Sequence, residues 1–152
     1  MGEAKPLWMP MSTTTALDAD EEGEVVDQKE YRSMIGSLLY LAAMRPNIQF
    51  MVCLCACFQS SLRMSHRQAI KRIMRYLYFT PKFGLWFLAS SSLSLCGYSN
   101  VDYAGYRIER KSTLGTCQFI RSSLVSWSSS KQSSVAQSTT EAEYVAVTAC
   151  CS

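Results

Sequence analysis

The apolar spacing of this chain shortens at Pro81, and that change limits what it can fold into. From Lys29 to Pro81, apolar side chains recur every three or four residues; after it they alternate or gather in short runs until a last helical run opens near Ser138. A 3.6-residue period buries one face of a helix, and a two-residue period buries one face of a strand. The expected fold class is therefore α+β, with helices first and strands second.

Prolines divide the helical half. Met34, Ile35, Leu38, Leu39 and Leu41 form a stripe that starts near Lys29. It should end by Arg45, because Pro46 disfavours helix in the residue before it. Pro46 then suits the first turn of a second helix, running from residue 47 to about 60. Ser65 is expected to cap a third, from His66 to about Phe79, whose core face would carry Ile70, Ile73, Met74 and Leu77. Past Pro81, strands are expected at 83–88, 93–103, 114–120 and 124–128. Ser138 and Glu141 fit a capping box that opens a last helix through Tyr144, Val145 and Val147.

Charge is segregated along the chain. Residues 1–30 hold eight acids against two bases, a net of −6, together with Pro6, Pro10 and a Ser-Thr-Thr-Thr run. This composition predicts a linker or extended arm. Residues 31–101 hold eight bases and no acid. Such a block suits a polyanionic partner, or else a solvated basic helix face. Arg67, Lys71 and Arg75 stand at i, i+4 and i+8 with Arg72 beside them, a stripe able to lie along phosphates.

The seven cysteines do not suggest a metal site. Cys53, Cys55 and Cys57 alternate within a helical run, where alternate side chains diverge by about 200° and cannot converge on one ion. Free, buried thiols in a reducing compartment are expected. No secretory leader is recognisable, Pro6 occupies the position where myristoylation prefers Ser or Thr, and Arg45-Pro46 interrupts the longest apolar stretch. These features predict an intracellular protein, cytoplasmic or nuclear, with no membrane segment.

Two stretches could carry chemistry: Gly97-Tyr98-Ser99-Asn100-Val101-Asp102-Tyr103-Ala104-Gly105 on a predicted strand, and Thr140-Glu141-Ala142-Glu143-Tyr144-Val145-Ala146 opening a helix. Carboxylates from a first strand and a following helix can meet at a divalent cation, and metal-assisted phosphodiester hydrolysis needs several of them converging. Glu141 and Glu143 equally suit the favourable negative end of a helix N-terminus.

With these motifs the chain resembles the Pol polyprotein of copia-type long-terminal-repeat retrotransposons, at the join of reverse transcriptase and ribonuclease H. The resemblance runs through Tyr31-Arg32-Ser33-Met34-Ile35-Gly36-Ser37-Leu38-Leu39-Tyr40-Leu41, Arg45-Pro46-Asn47-Ile48 and Lys71-Arg72-Ile73-Met74-Arg75-Tyr76-Leu77. It continues through Gly97-Tyr98-Ser99, Arg110-Lys111-Ser112-Thr113, Val125-Ser126-Trp127-Ser128-Ser129, Lys131-Gln132 and Ser138-Thr139-Thr140-Glu141-Ala142-Glu143-Tyr144-Val145-Ala146.

Beyond the acidic arm that composition gives at 1–30, the resemblance implies two parts: the helical C-terminal part of a reverse transcriptase at 31–90, and the opening of a ribonuclease H-like domain at 93–152. That last part would be an incomplete sheet of about three antiparallel strands and its first helix. The family cleaves the RNA strand of an RNA–DNA hybrid with Mg²⁺ held by acidic side chains. Carried over, the first catalytic Asp position is occupied here by Asn100, with Asp102 two residues on as a vestigial substitute. Glu143 matches the helix carboxylate better than Glu141, and the later carboxylates would lie beyond residue 152. The implied catalytic and metal residues are thus Glu143 and Asp102 alone; the expected nucleic-acid-binding residues remain those of the basic stripe, Arg67, Lys71, Arg72 and Arg75.

The expectation is a truncated, catalytically inactive remnant that binds RNA–DNA hybrid or other nucleic acid weakly, its other partner being the rest of the parent polyprotein. The alternative is a co-opted, effector-like interaction protein. Met44, Cys57, Leu62, Leu114, Asn47 and Asn100 each differ from the family's usual residue by one C-to-T or G-to-A step. Decay by cytosine deamination would produce that pattern, and TG or CA at those codons of the coding DNA is the check.

Overall fold

The computed structural model describes residues 5–11, 17–89, 94–106 and 109–151. Within them the order is α1 (Gln28–Ala42), α2 (Pro46–Ala56), α3 (Met64–Phe79), β1 (Leu95–Tyr106), β2 (Lys111–Ile120), β3 (Ser123–Lys131) and α4 (Thr139–Cys151). The fold is α+β, and the chain divides into two units, Met1–Gly84 and Leu85–Ser152. No described helix is long and apolar enough to cross a membrane.

The first unit is a helical cluster. Tyr31, Ile35, Leu38 and Ala42 of α1 meet Ile48, Met51, Val52 and Cys55 of α2 and Ile70, Ile73 and Tyr76 of α3 in one buried core. Each large apolar side chain so buried contributes about 1.5–3 kcal/mol. Polar links fix the helix ends. The Tyr31 hydroxyl donates to the Cys55 carbonyl at 2.8 Å, from inside the core. Arg45, just before α2, donates to the carbonyls of Thr80 (2.7 Å) and Phe83, tying the α1–α2 turn to the end of α3. That bond occupies one cation of the acid-free block.

Two expectations for this unit change. Helix α3 begins at Met64, not after a Ser65 cap. His66 Nδ1 accepts the Arg63 N–H at 3.1 Å, which satisfies a helix N-terminal donor and lets the helix start earlier. The arm, expected as a linker, packs where it is described. Met11, Leu17 and Val26 lie against the core, and Val25 pairs with Arg63 in an isolated antiparallel bridge. The composition hid this because the few apolar residues are spaced too irregularly to read as an element. The Ser-Thr-Thr-Thr run falls outside the described residues.

The second unit is a three-stranded antiparallel meander, β1-β2-β3, with α4 on it. Gly97 faces Gln118 and Gln118 faces Ser126, and the β2–β3 register shifts just beyond, between Gln118 and Phe119. Helix α4 presents Ala142 and Ala146, both fully buried, and then Cys150. Small side chains at i, i+4 and i+8 allow close approach: a Cβ on Gly97 would come within 2.9 Å of Cys150 Sγ. Gln118 Nε2 donates to the Cys150 carbonyl at 2.9 Å, and buried Gln132 donates to the Ala142 carbonyl at 3.0 Å. Ser138 Oγ accepts the Glu141 N–H at 3.1 Å, while the Glu141 carboxylate reaches Gln137 N–H at 2.7 Å, one residue beyond the position a capping box requires.

The expected strand at 83–88 does not form. Its apolar run finds no pairing partner in the sheet, and Trp86, Phe87 and Leu88 stay exposed. The expected start of the next strand at Leu93 lies outside the described residues, and the strand is seen from Leu95.

Candidate nucleic-acid interface

Of the described helices, α3 has the largest polar–apolar asymmetry, and its two faces do different work. Ile70, Ile73 and Tyr76 are buried, while Lys71 and Arg75 are exposed and Arg72 is half-buried. A cleft of about 630 Å³ runs along the basic side, lined by Lys71, Arg72, Arg75, Ser65, Gln68 and, across it, Leu17, Asp18 and Asp20. Two polar atoms in its lining residues, Ser65 Oγ and Arg72 Nε, are buried without a hydrogen-bond partner. Three cations on one helical wall can hold anionic oxygens.

The structure brings three of the four expected cations together and turns the fourth away. Arg67 lies one helical step outside the cleft and pairs with Glu30 at 2.8 Å, both side chains partly exposed. A surface pair of this kind is worth about 0–1 kcal/mol, so Arg67 is weakly held. Arg63, another cation of the acid-free block, donates to the Gly23 carbonyl at 3.2 Å. Sequence reasoning ranked Arg67 with the others because a single helix does not show which neighbour takes which charge.

The carboxylates tell the opposite story. The Gly97 position points at Cys150, and its neighbour Gln118 reaches the same helix, so residues 97, 99 and 101 face α4. Asn100 and Asp102, of the other parity, face away and are exposed. The Asp102 carboxylate lies instead against Gly105, in the space an added Cβ would take. The pairing breaks there, between Asp102 and Tyr106, with Ala104 at φ 52°. Glu143 is exposed on α4, next to the buried Ala142. Asp102 and Glu143 therefore lie on opposite sides of the sheet. They do not fit a shared Mg²⁺ site, and no group of three or more potential ligands gathers among the described residues.

The cysteines are free among the described residues, but only Cys55 is buried; Cys57, Cys96 and Cys151 are exposed. Burial pushes the Cys55 thiol up to about 12, the Tyr31 hydroxyl beside it offsetting part of the rise. The expectation of buried thiols fails elsewhere because apolar-run position does not reveal which helix face meets the core.

The arrangement of α1–α3, the meander and α4 coincides with a sequence likeness over nearly the whole chain. The chain is 40% identical over 144 residues, 95% of its length, to the retrovirus-related Pol polyprotein from transposon RE1 of Arabidopsis thaliana. It is 38% identical over the same share to the corresponding polyprotein from transposon RE2. This chain belongs to the copia-type retrovirus-related Pol polyproteins of transposons. It spans about 10% of the length of those two relatives. It is also 40% identical over 118 residues to secreted RxLR effector protein 161 of Plasmopara viticola, covering 83% of that protein. No protein-family profile matches the chain. No solved structure matches it either.

Proposed function

We propose that this transposon-derived chain is a nucleic-acid-binding remnant without hydrolytic activity. Its helical unit would descend from the C-terminal part of a reverse transcriptase, and its sheet unit from the opening of a ribonuclease H-like domain. The observation that carries the reading is the single wall of α3 that gathers Lys71, Arg72 and Arg75 beside an open cleft. A flexible or sequence-independent polyanion needs only such a wall, and binding through it weakens steeply with salt. RNA–DNA hybrid is the natural ligand class given the kinship. Hydrolysis finds no support: Asn100 supplies no charge, and Asp102 and Glu143 face different ways.

The test joins two measurements on the purified chain. Labelled RNA–DNA hybrid should bind at low salt, lose affinity as salt rises, and lose it wholly in a Lys71→Ala, Arg72→Ala, Arg75→Ala variant. Incubation with Mg²⁺ should leave the hybrid uncut. Binding untouched by the triple change would remove the interface, and cleavage would restore a catalytic role to Asp102 and Glu143.

A second reading is favoured by one comparison: the effector of Plasmopara viticola, matched over most of its length. By that reading the chain is an interaction protein, and its exposed Trp86, Phe87 and Tyr98 are contact residues. A stable monomer with no affinity for hybrid at any salt would favour it over the first.

A further inference from the structure

The acidic arm and the basic wall occupy one cleft, and the way the arm is held separates its docking from its charge. Its grip is made of backbone carbonyls and apolar side chains. The Asp18 carbonyl pairs with His66 Nε2 at 2.7 Å, and the Glu24 carbonyl accepts the Met64 N–H at 2.9 Å. The Gly23 carbonyl takes the Arg63 guanidinium, and Leu17 and Val26 lie on the core. His66 is fully buried, stacked on Phe58 with ring centroids 4.1 Å apart. With Nδ1 accepting from Arg63, its proton sits on Nε2 and donates to Asp18. The carboxylates take no part in this grip: Asp18 uses its own to accept the Asp20 N–H at 3.1 Å, within the arm. Asp18, Glu21, Glu22 and Glu24 are exposed, and Asp18 and Asp20 line the same cleft as Lys71, Arg72 and Arg75.

We propose that residues 17–24 are an electrostatic strap that restrains polyanion binding at the basic wall. Five carboxylates on a segment pinned beside three cations lower the local positive potential, and they narrow the cleft that phosphates would enter. Such a field acts over about 8–10 Å at ordinary salt, which covers a cleft of this size. The proposal rests on the reading of the wall as a phosphate-binding face and names what regulates it. Any event that lifts or neutralises the strap, such as pairing of its acids with a basic partner, would open the face.

The experiment compares hybrid binding by the native chain with D18N/D20N and with D18N/D20N/E21Q/E22Q/E24Q, the fold of each checked by circular dichroism. The arm's grip does not use the changed atoms, so both should fold. At about 50 mM salt the five-fold variant should bind at least about tenfold tighter, the two-fold variant should gain less, and both gains should shrink at about 200 mM salt. E141Q/E143Q, which removes the same charge as D18N/D20N from the other unit, should gain least. Equal gains from those two pairs, or no gain from the five-fold variant, would overturn the strap. The triple Ala change in α3 separates the two ideas. If it abolishes binding while strap neutralisation does nothing, the interface stands and the strap falls; if the five-fold variant does not bind at all, both fall.

Discussion

The two units of this chain bury their apolar residues to different depths. Among the described residues, the helical unit closes a core of twelve buried residues drawn from α1, α2, α3 and the α2–α3 turn. In the sheet unit the buried apolar side chains are Tyr106, Leu114, Ala136, Ala142 and Ala146, among the described residues. Its α4 face is covered, while Tyr98 on the other face is 60% exposed and Trp86 nearby in sequence is 79% exposed. Three helices can enclose a core between themselves, whereas one sheet with one helix has two faces and covers one. The helical unit is thus expected to be the stable part, and the sheet unit to depend on a thin layer of close contacts.

The sharpest test of that contrast is Ile73→Ala. Ile73 is fully buried, and its loss should cost about 2–5 kcal/mol, read as a shift of the denaturant midpoint by far-ultraviolet circular dichroism. With Trp8 of the helical unit changed to Phe, fluorescence from Trp86 and Trp127, both in the sheet unit, should shift less if the units unfold separately; equal shifts would merge them into one cooperative body.

Next is Ala146→Leu. The residue is fully buried between α4 and the sheet, and the larger side chain should cost about 1–3 kcal/mol and loosen α4. An unchanged midpoint would mean that α4 is not packed as closely as Gly97 and Cys150 indicate.

Two pH effects follow, one in each unit. In the helical unit, Cys55 is raised from 9.0 to about 12 by burial, so its contribution to stability is complete below about pH 9 and lost as pH rises toward 12. In the sheet unit, hydrogen bonds from Lys111 and then Lys131 hold Glu109 down at about 2. Its contribution is complete above about pH 4.5 and lost as pH falls toward 2. The alkaline limb should therefore report the helical unit and the acid limb, more weakly, the β1–β2 turn. Glu109→Gln should flatten the acid limb alone, as followed by near-ultraviolet circular dichroism.

The smallest effect expected is from Asn47→Asp, the residue the family resemblance leads one to expect there. Asn47 Nδ2 donates to the Tyr76 hydroxyl, and a carboxylate there would accept from the same hydroxyl. Reversing the direction of one hydrogen bond should move the midpoint by under about 0.5 kcal/mol. A larger gain would show that this site has lost stability through the change.

Much of this architecture was legible from residue order. Prolines at 46 and 81 set the helix boundaries to within a few residues, and the observed strands begin and end close to the aromatic-rich runs after Pro81. The failure at 83–88 has a clear cause. An apolar run is necessary for a strand but not sufficient, since a strand exists only through its hydrogen-bonded neighbour. The cleft was half legible: the basic stripe is periodic in the sequence, but the acids that line the same cleft lie about fifty residues earlier and reach it only by folding.

By itself, then, the sequence determined the kinds of element, their order, the basic face of α3 and the kinship of the chain, because each depends on local spacing or on motifs in series. Tertiary structure decided three things that spacing cannot carry. It turned Arg67 to Glu30 and left Lys71, Arg72 and Arg75 together, it laid the acidic arm beside them, and it set Asn100 and Asp102 on the face away from α4. The reason is common to all three: charge pairing, docking and sheet facing are relations between segments distant in the chain, and the packing of both partners fixes them.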